Sequence, residues 1–247
     1  MRAMTCLFIA LFGLGSLLLP TSTSAGNSSK QIHLAIVATQ GKNQLKRYKE
    51  YLEKTHNMKV TWIEANRSNK DSEFIGDLSQ LEKCDVILSN IYRTWAPPEQ
   101  LKQLKKAFLS KPVVGLRKAH HGFQNWQEAD KEVFGVDYRG HYGNSKNSFL
   151  EVTKKHTNHP AFKKLKVTIP GGGCYGHTDL ADDLEVYMIG GQKGKEPHPQ
   201  TWSRIVKNRG NQRVFYTRYD PENLEDNETV RDMVTHMIYW AADRKSK

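Results

Sequence analysis

Apolar and polar positions come in blocks along this chain, and block length separates strands from helices. Residues 32–39 (I-H-L-A-I-V-A-T) are almost continuously apolar, the pattern of a strand buried on both faces. Gln40 and Gly41 end the run. Leu45, Tyr48, Tyr51 and Leu52 then recur at helical spacing as far as His56. The same reading predicts a strand over 59–65, a helix marked by Phe74, Leu78 and Leu81, and a strand over 84–92. Pro97 and Pro98 open a third helix, where proline suits the first turn. It carries Leu101, Leu104, Phe108 and Leu109, and a fourth strand follows over 112–119. Four strand–helix alternations predict a mostly parallel sheet with crossover helices on both faces.

Further on, a helix is expected over 125–134 and a strand over 149–155, then a short turn or helix at 159–165 and a glycine turn at 170–173. Strands are expected over 184–189, 201–207 and 213–217, the last two joined by the hairpin signal Asn208-Arg209-Gly210-Asn211. Pro197-His198-Pro199 reads as a loop. A helix over 225–242 closes the chain, with Val230, Met233, Val234, Met237 and Ile238 on its apolar face. The whole reads as one α/β domain over 26–247.

Residues 1–25 do not fit that scheme. Arg2 precedes an apolar run over 6–19, and Thr23-Ser24-Ala25 forms a small-residue cleavage site, the pattern of a secretory signal peptide. The run is shorter than the ~20 residues of a spanning helix. Export to the periplasm or outside the cell is the expectation, and no later segment is long and apolar enough to span a membrane. The net charge is +11, with the excess lysines scattered rather than gathered into one arm. That argues for a basic solvated surface and against nucleic acid. A module attracted to acidic polysaccharide is the sharper alternative. Past the leader the cysteines are Cys84 and Cys174, without the spacing of a metal knuckle. They read as two buried thiols rather than a bridge. With no G-x-G-x-x-G after the first strand and no Walker motif, a nucleotide is not indicated.

Candidate chemistry gathers where the fourth strand ends, because ligands of open α/β sheets sit beyond the carboxyl ends of the strands. Residues 112–121 (P-V-V-G-L-R-K-A-H-H) pass from apolar to polar at Arg117. His120 and His121 are candidates for proton transfer at neutral pH, as is His141, flanked by Gly140 and Gly143. His141 and His121, with Asp137 as oxygen donor, make a candidate ligand set for a divalent transition metal, zinc or manganese. Arg93 and Arg117 are candidates to hold carboxylate, phosphate or sugar hydroxyls, with Asn125 beside them. Trp95, Trp126 and Tyr142 are candidates to stack on a sugar. His177, Asp179, Asp182 and Asp183 lie in a loop expected near the cleft, at a spacing that matches no calcium loop.

V-V-G-L-R-K-A-H-H, F-G-V-D-Y-R-G-H-Y-G, H-P-A-F-K-K-L, T-W-S-R-I-V-K-N-R-G-N-Q-R-V-F-Y-T and I-Y-W-A-A occur in this order across the chain. Together they resemble the ThuA-like, or trehalose-utilisation-like, proteins. The resemblance implies a flavodoxin-like, class I glutamine amidotransferase-like sandwich. It also implies a role in carbohydrate metabolism, on disaccharides or their 3-keto derivatives, through histidine acid–base or metal-assisted chemistry. A non-catalytic member binding a glycan or a partner protein is the alternative. Two departures stand out. The family usually carries histidine where this chain has Arg117, and often Gly-His where it has Asp220-Pro221. The turn after the fourth strand holds no cysteine, so the chain is not expected to be a glutamine amidotransferase.

Overall fold

His33–Ala38 are all buried, and this strand is the centre of the molecule. The structure, a computed structural model, describes residues 31–144, 146–171 and 173–245. The expected leader lies outside the described residues. In chain order the first half comprises β1 (His33–Ala38), α1 (Lys42–His56), β2 (Lys59–Ala65), β3 (Phe74–Ile75), α2 (Gln80–Lys83), β4 (Val86–Asn90), α3 (Pro98–Phe108) and β5 (Val113–Leu116). The second half comprises β6 (Asp137–Tyr142), β7 (Ser148–Val152), β8 (Cys174–Thr178), β9 (Leu184–Gln192), β10 (His198–Val206), β11 (Gln212–Thr217), α4 (Pro221–Asp226) and α5 (Glu228–Ala241).

Nine strands form one sheet in the order β3-β2-β1-β4-β5-β11-β10-β9-β7, and β6 and β8 form a separate two-stranded ribbon. The run β2-β1-β4-β5-β11 is parallel. The pairings of β10 with β11 and β9, and of β7 with β9, are antiparallel. Successive side chains of a strand point to opposite faces. Leu34 and Ile36 therefore pack on one side with Leu45, Leu52, Met233 and Met237. Ala35 and Val37 pack on the other with Leu104, Phe108 and Phe134. The result is a mixed α/β fold with a large, mostly parallel central sheet and helices on both faces.

Several local expectations change. Phe74 belongs to a two-residue edge strand rather than a helix, because Gly76 at φ 122° breaks the helical path and a side chain there would run into the Trp62 carbonyl. Only α2, one turn long, follows. The predicted helix over 125–134 contracts to a single wide turn, Asp130–Phe134, whose start is fastened by Asp130 accepting from the backbone of Lys131 and Tyr138. The closing helix divides at Asn227, which leaves helical geometry so that its side chain can accept from the backbone of Thr229 and Val230. Pro197-His198-Pro199 is not all loop: His198 already begins β10. The ribbon of β6 and β8 had no counterpart in the hydrophobic pattern.

Candidate functional site

Leu116 and Thr217 are cross-strand partners, and β5 and β11 both end there. Arg117 and Arg218 therefore leave the sheet side by side. Arg117 takes φ 30°, a left-handed conformation rare for a residue with a side chain. Strain of this kind costs about 1–3 kcal/mol and persists where surrounding contacts impose it. Here the Tyr216 hydroxyl donates to the Arg117 carbonyl, and His120 Nδ1 donates to the same oxygen at 2.9 Å. Arg117–His121 form a short 3-10 helix. Gly122 follows it, so close to the Ile91 backbone that no side chain fits. Arg93, after β4, is also left-handed, at φ 47°.

The turn sets a chain of neutral histidines. His120 is wholly buried. With its Nδ1 proton given to Arg117, its Nε2 accepts from His177 Nε2, 3.2 Å away. Among the described residues, that leaves His177 Nδ1 buried without a partner. His121 Nδ1 lies 3.3 Å from His120 Nδ1 and faces its N–H, so the His121 proton resides on Nε2. Burial lowers His121 and His177 to about 3, reinforced by the Arg218 charge at His121 and by His198 at His177. Burial and the neighbouring histidines put His120 well below its ordinary range. All three are uncharged at neutral pH.

Tyr175, on β8, is the hub. Its ring centroid lies 5.4 Å from His120, 5.2 Å from His121, 5.2 Å from His141 and 5.0 Å from Tyr138. The Arg218 guanidinium lies over its face at 3.8 Å, and Arg117 Nε donates to its hydroxyl at 3.3 Å. His121 stacks on Tyr138 with centroids 3.9 Å apart and planes 7° from parallel. The ribbon register that sets His141 opposite Tyr175 brings His141 to the exposed rim. Arg117 forms a buried ion pair with Asp220, whose second oxygen lies 3.5 Å from Lys118 Nζ. Lys118 is pulled down to about 8 by burial and then by Arg117. The Tyr92 ring at the mouth has Arg67, Arg93 and Lys118 at 5.1, 5.3 and 5.2 Å.

His120, His121, His141 and Arg117 thus converge, and Arg93 lies at the mouth. Asn125 and Trp126 sit elsewhere. Asn125 clamps the Ala96 backbone through both its amide atoms. Trp126 is 1% exposed, packs against Phe108 and Phe123, and donates to Glu132. Tyr142 rests against His198, toward the far end of the ribbon. Asp137 Oδ2 pairs with Arg139 and Lys131 at 2.6 and 3.1 Å. Among the described residues, no three His, Cys, Asp or Glu side chains gather closely enough to hold a metal ion. Tyr138, Tyr175 and Arg218 were missed in the sequence. A tyrosine in a short polar ribbon carries no signal of its own. Arg218 was legible only as the residue just past a strand end.

An α/β sheet whose parallel strands deliver polar side chains to a cluster of rings at their carboxyl ends has a flavodoxin-like architecture. The family model described as trehalose utilisation, ThuA, matches residues 22–241, and the chain belongs to that family. Membership supports a carbohydrate-related role. A ThuA-like protein from Parabacteroides merdae is similar at TM-score 0.60 and 14% identity, with 88% of this chain and 92% of that one covered. One from Bacteroides uniformis is similar at 0.61 and 16%, with 90% and 96% covered. A β-galactosidase from Bacillus circulans sp. alkalophilus reaches 0.50 and 13%, with 85% of this chain and 30% of that one covered. At these identities the likeness is one of fold. No curated protein matches the chain significantly.

The two departures from the family pattern meet in space. Arg117 stands where a histidine is usual and Asp220 where Gly-His is frequent, and the two side chains are ion-paired.

Proposed function

We propose that this protein binds a small carbohydrate, a sugar or 3-keto sugar derivative, at the carboxyl ends of β5 and β11. In this reading it acts on the ligand through histidine acid–base chemistry. The observation that carries it is the convergence of His120, His121, His141 and His177 on Tyr138 and Tyr175, in a chain of the ThuA family. His121, neutral with its proton on Nε2, would donate to a ligand oxygen. His141 at the rim would exchange the proton with solvent. Tyr138 and Tyr92 would border the sugar ring. The apolar run over 6–19 supports export, and an intact N-terminus on the exported protein would overturn that part.

A second reading is a non-catalytic carbohydrate-binding member. Its support is the depressed basicity of His121 and His177, since proton transfer is best served by a group titrating near the working pH. The test is a panel of disaccharides and their 3-keto derivatives, followed by NMR for both binding and turnover. Turnover lost in His121→Ala and His141→Ala supports the enzyme. Binding without turnover supports the second reading, and no binding of any sugar overturns both.

A further inference from the structure

Positive charge is unbalanced in and around this site. Arg117 and Arg218 are 8% and 1% exposed, and the carboxylate beside them, Asp220, pairs with Arg117 and Lys118. Arg218 gives Nη2 to the Gly173 carbonyl, while its Nε and Nη1 are buried with no acceptor among the described residues. A buried guanidinium with no counter-charge is costly. The neighbouring groups cannot ionise to balance it. Burial pushes Cys174 and Tyr216 upward and Tyr138 up to about 12, and the adjacent histidines stay neutral. Above the buried pair, Arg67, Arg93 and Lys118 crowd one tyrosine ring at the mouth. Glu222 is the further acid felt by Lys118. Such an arrangement repels itself until an anion enters.

We propose that the carbohydrate taken by this site is anionic, a sugar acid or a sugar phosphate, with its carboxylate or phosphate seated among Lys118, Arg117 and Arg93 above Arg218. The proposal rests on the carbohydrate reading and narrows it. Lys118 and Arg93 are the donors that reach the ligand from the mouth. Arg218, closed off from solvent, acts through its field across the Tyr175 ring and positions the charge without touching it.

Isothermal titration calorimetry at pH 7 and low salt would compare glucose, glucuronate, gluconate and glucose 6-phosphate, with acetate and inorganic phosphate as sugar-free probes. The charged sugars are expected to bind at least about tenfold more tightly than glucose, and added salt should weaken them. Gluconate or glucuronate against glucose 6-phosphate separates carboxylate from phosphate. Arg93→Ala, on an exposed side chain, and Lys118→Met should each weaken the charged sugars by about 3- to 30-fold. Asp220→Asn should tighten them, an effect that a purely structural role for Asp220 does not produce. Glucose binding as tightly as its charged relatives overturns the proposal and leaves the carbohydrate reading standing. Inorganic phosphate binding as well as glucose 6-phosphate keeps the anion seat and overturns the carbohydrate reading. Folded protein that takes none of the anions overturns the proposal.

Discussion

Asp220→Asn isolates the charge of one buried group. The substitution keeps the shape of the side chain, and the bond from the Asp220 backbone N–H to Asn223 Oδ1, 3.0 Å long, does not depend on it. What it removes is the partner of Arg117. Both side chains of that pair are 10% exposed, so water compensates little when the partner goes. Arg117 would then lie buried beside Arg218 and Lys118, three cations with no carboxylate between them. Removing one partner of a buried pair costs about 3–5 kcal/mol. That is a large share of the ~5–15 kcal/mol by which domains are stable. At about 2–4 °C per kcal/mol for a domain of this size, Tm should fall by about 6–20 °C. The assay is urea unfolding at pH 7 in a buffer without phosphate, followed by tryptophan fluorescence. Trp202 and Trp126 are buried and report the core. The midpoint should drop with an unchanged m value. Adding Arg117→Met should recover much of the loss, since replacing both members of a buried pair is often close to neutral. A loss below about 1 kcal/mol, the range of solvent-exposed pairs, would refute the account of a desolvated pair.

Acid stability and thiol chemistry give two further predictions. In the unfolded chain the histidines titrate near 6.5, whereas folded His121 and His177 take up protons only near 3. The unfolded state therefore binds more protons between those limits. Stability is complete above about pH 6.5 and falls as pH drops toward 3, by up to about 1.4 kcal/mol per pH unit for each histidine. Urea midpoints measured from pH 7 to pH 5 should show this slope, and His177→Gln should flatten it; an unchanged slope would remove His177 from the account. Cys84 and Cys174 are free, buried thiols, Cys84 pushed by burial up to about 11 and Cys174 pushed upward by burial. A thiol reagent at pH 8 should label neither in the native protein and both in urea, and prompt native labelling would contradict this burial.

The hydrophobic pattern by itself determined the parallel half of the sheet. Continuous apolar runs such as 32–39 have one stable place, between two layers of helices, so β1, β2, β4 and β5 were legible, as were the crossover helices α1 and α3. It also placed Arg117, His120 and His121 directly after a buried strand. It did not determine the roof of the site. The β6–β8 ribbon is short, with β6 half-exposed and β8 mostly buried, and pairs residues 32 to 41 positions apart, so no periodicity announces it. Nor could it choose among the aromatic candidates. Trp126 and Tyr175 are both rings in the sequence, but one packs into the core beside Phe108 and the other becomes the hub of the histidines. Tertiary structure alone joined Arg117 to Asp220, 103 positions apart. Burial and pairing of charge are properties of neighbours in space, and sequence spacing does not encode them.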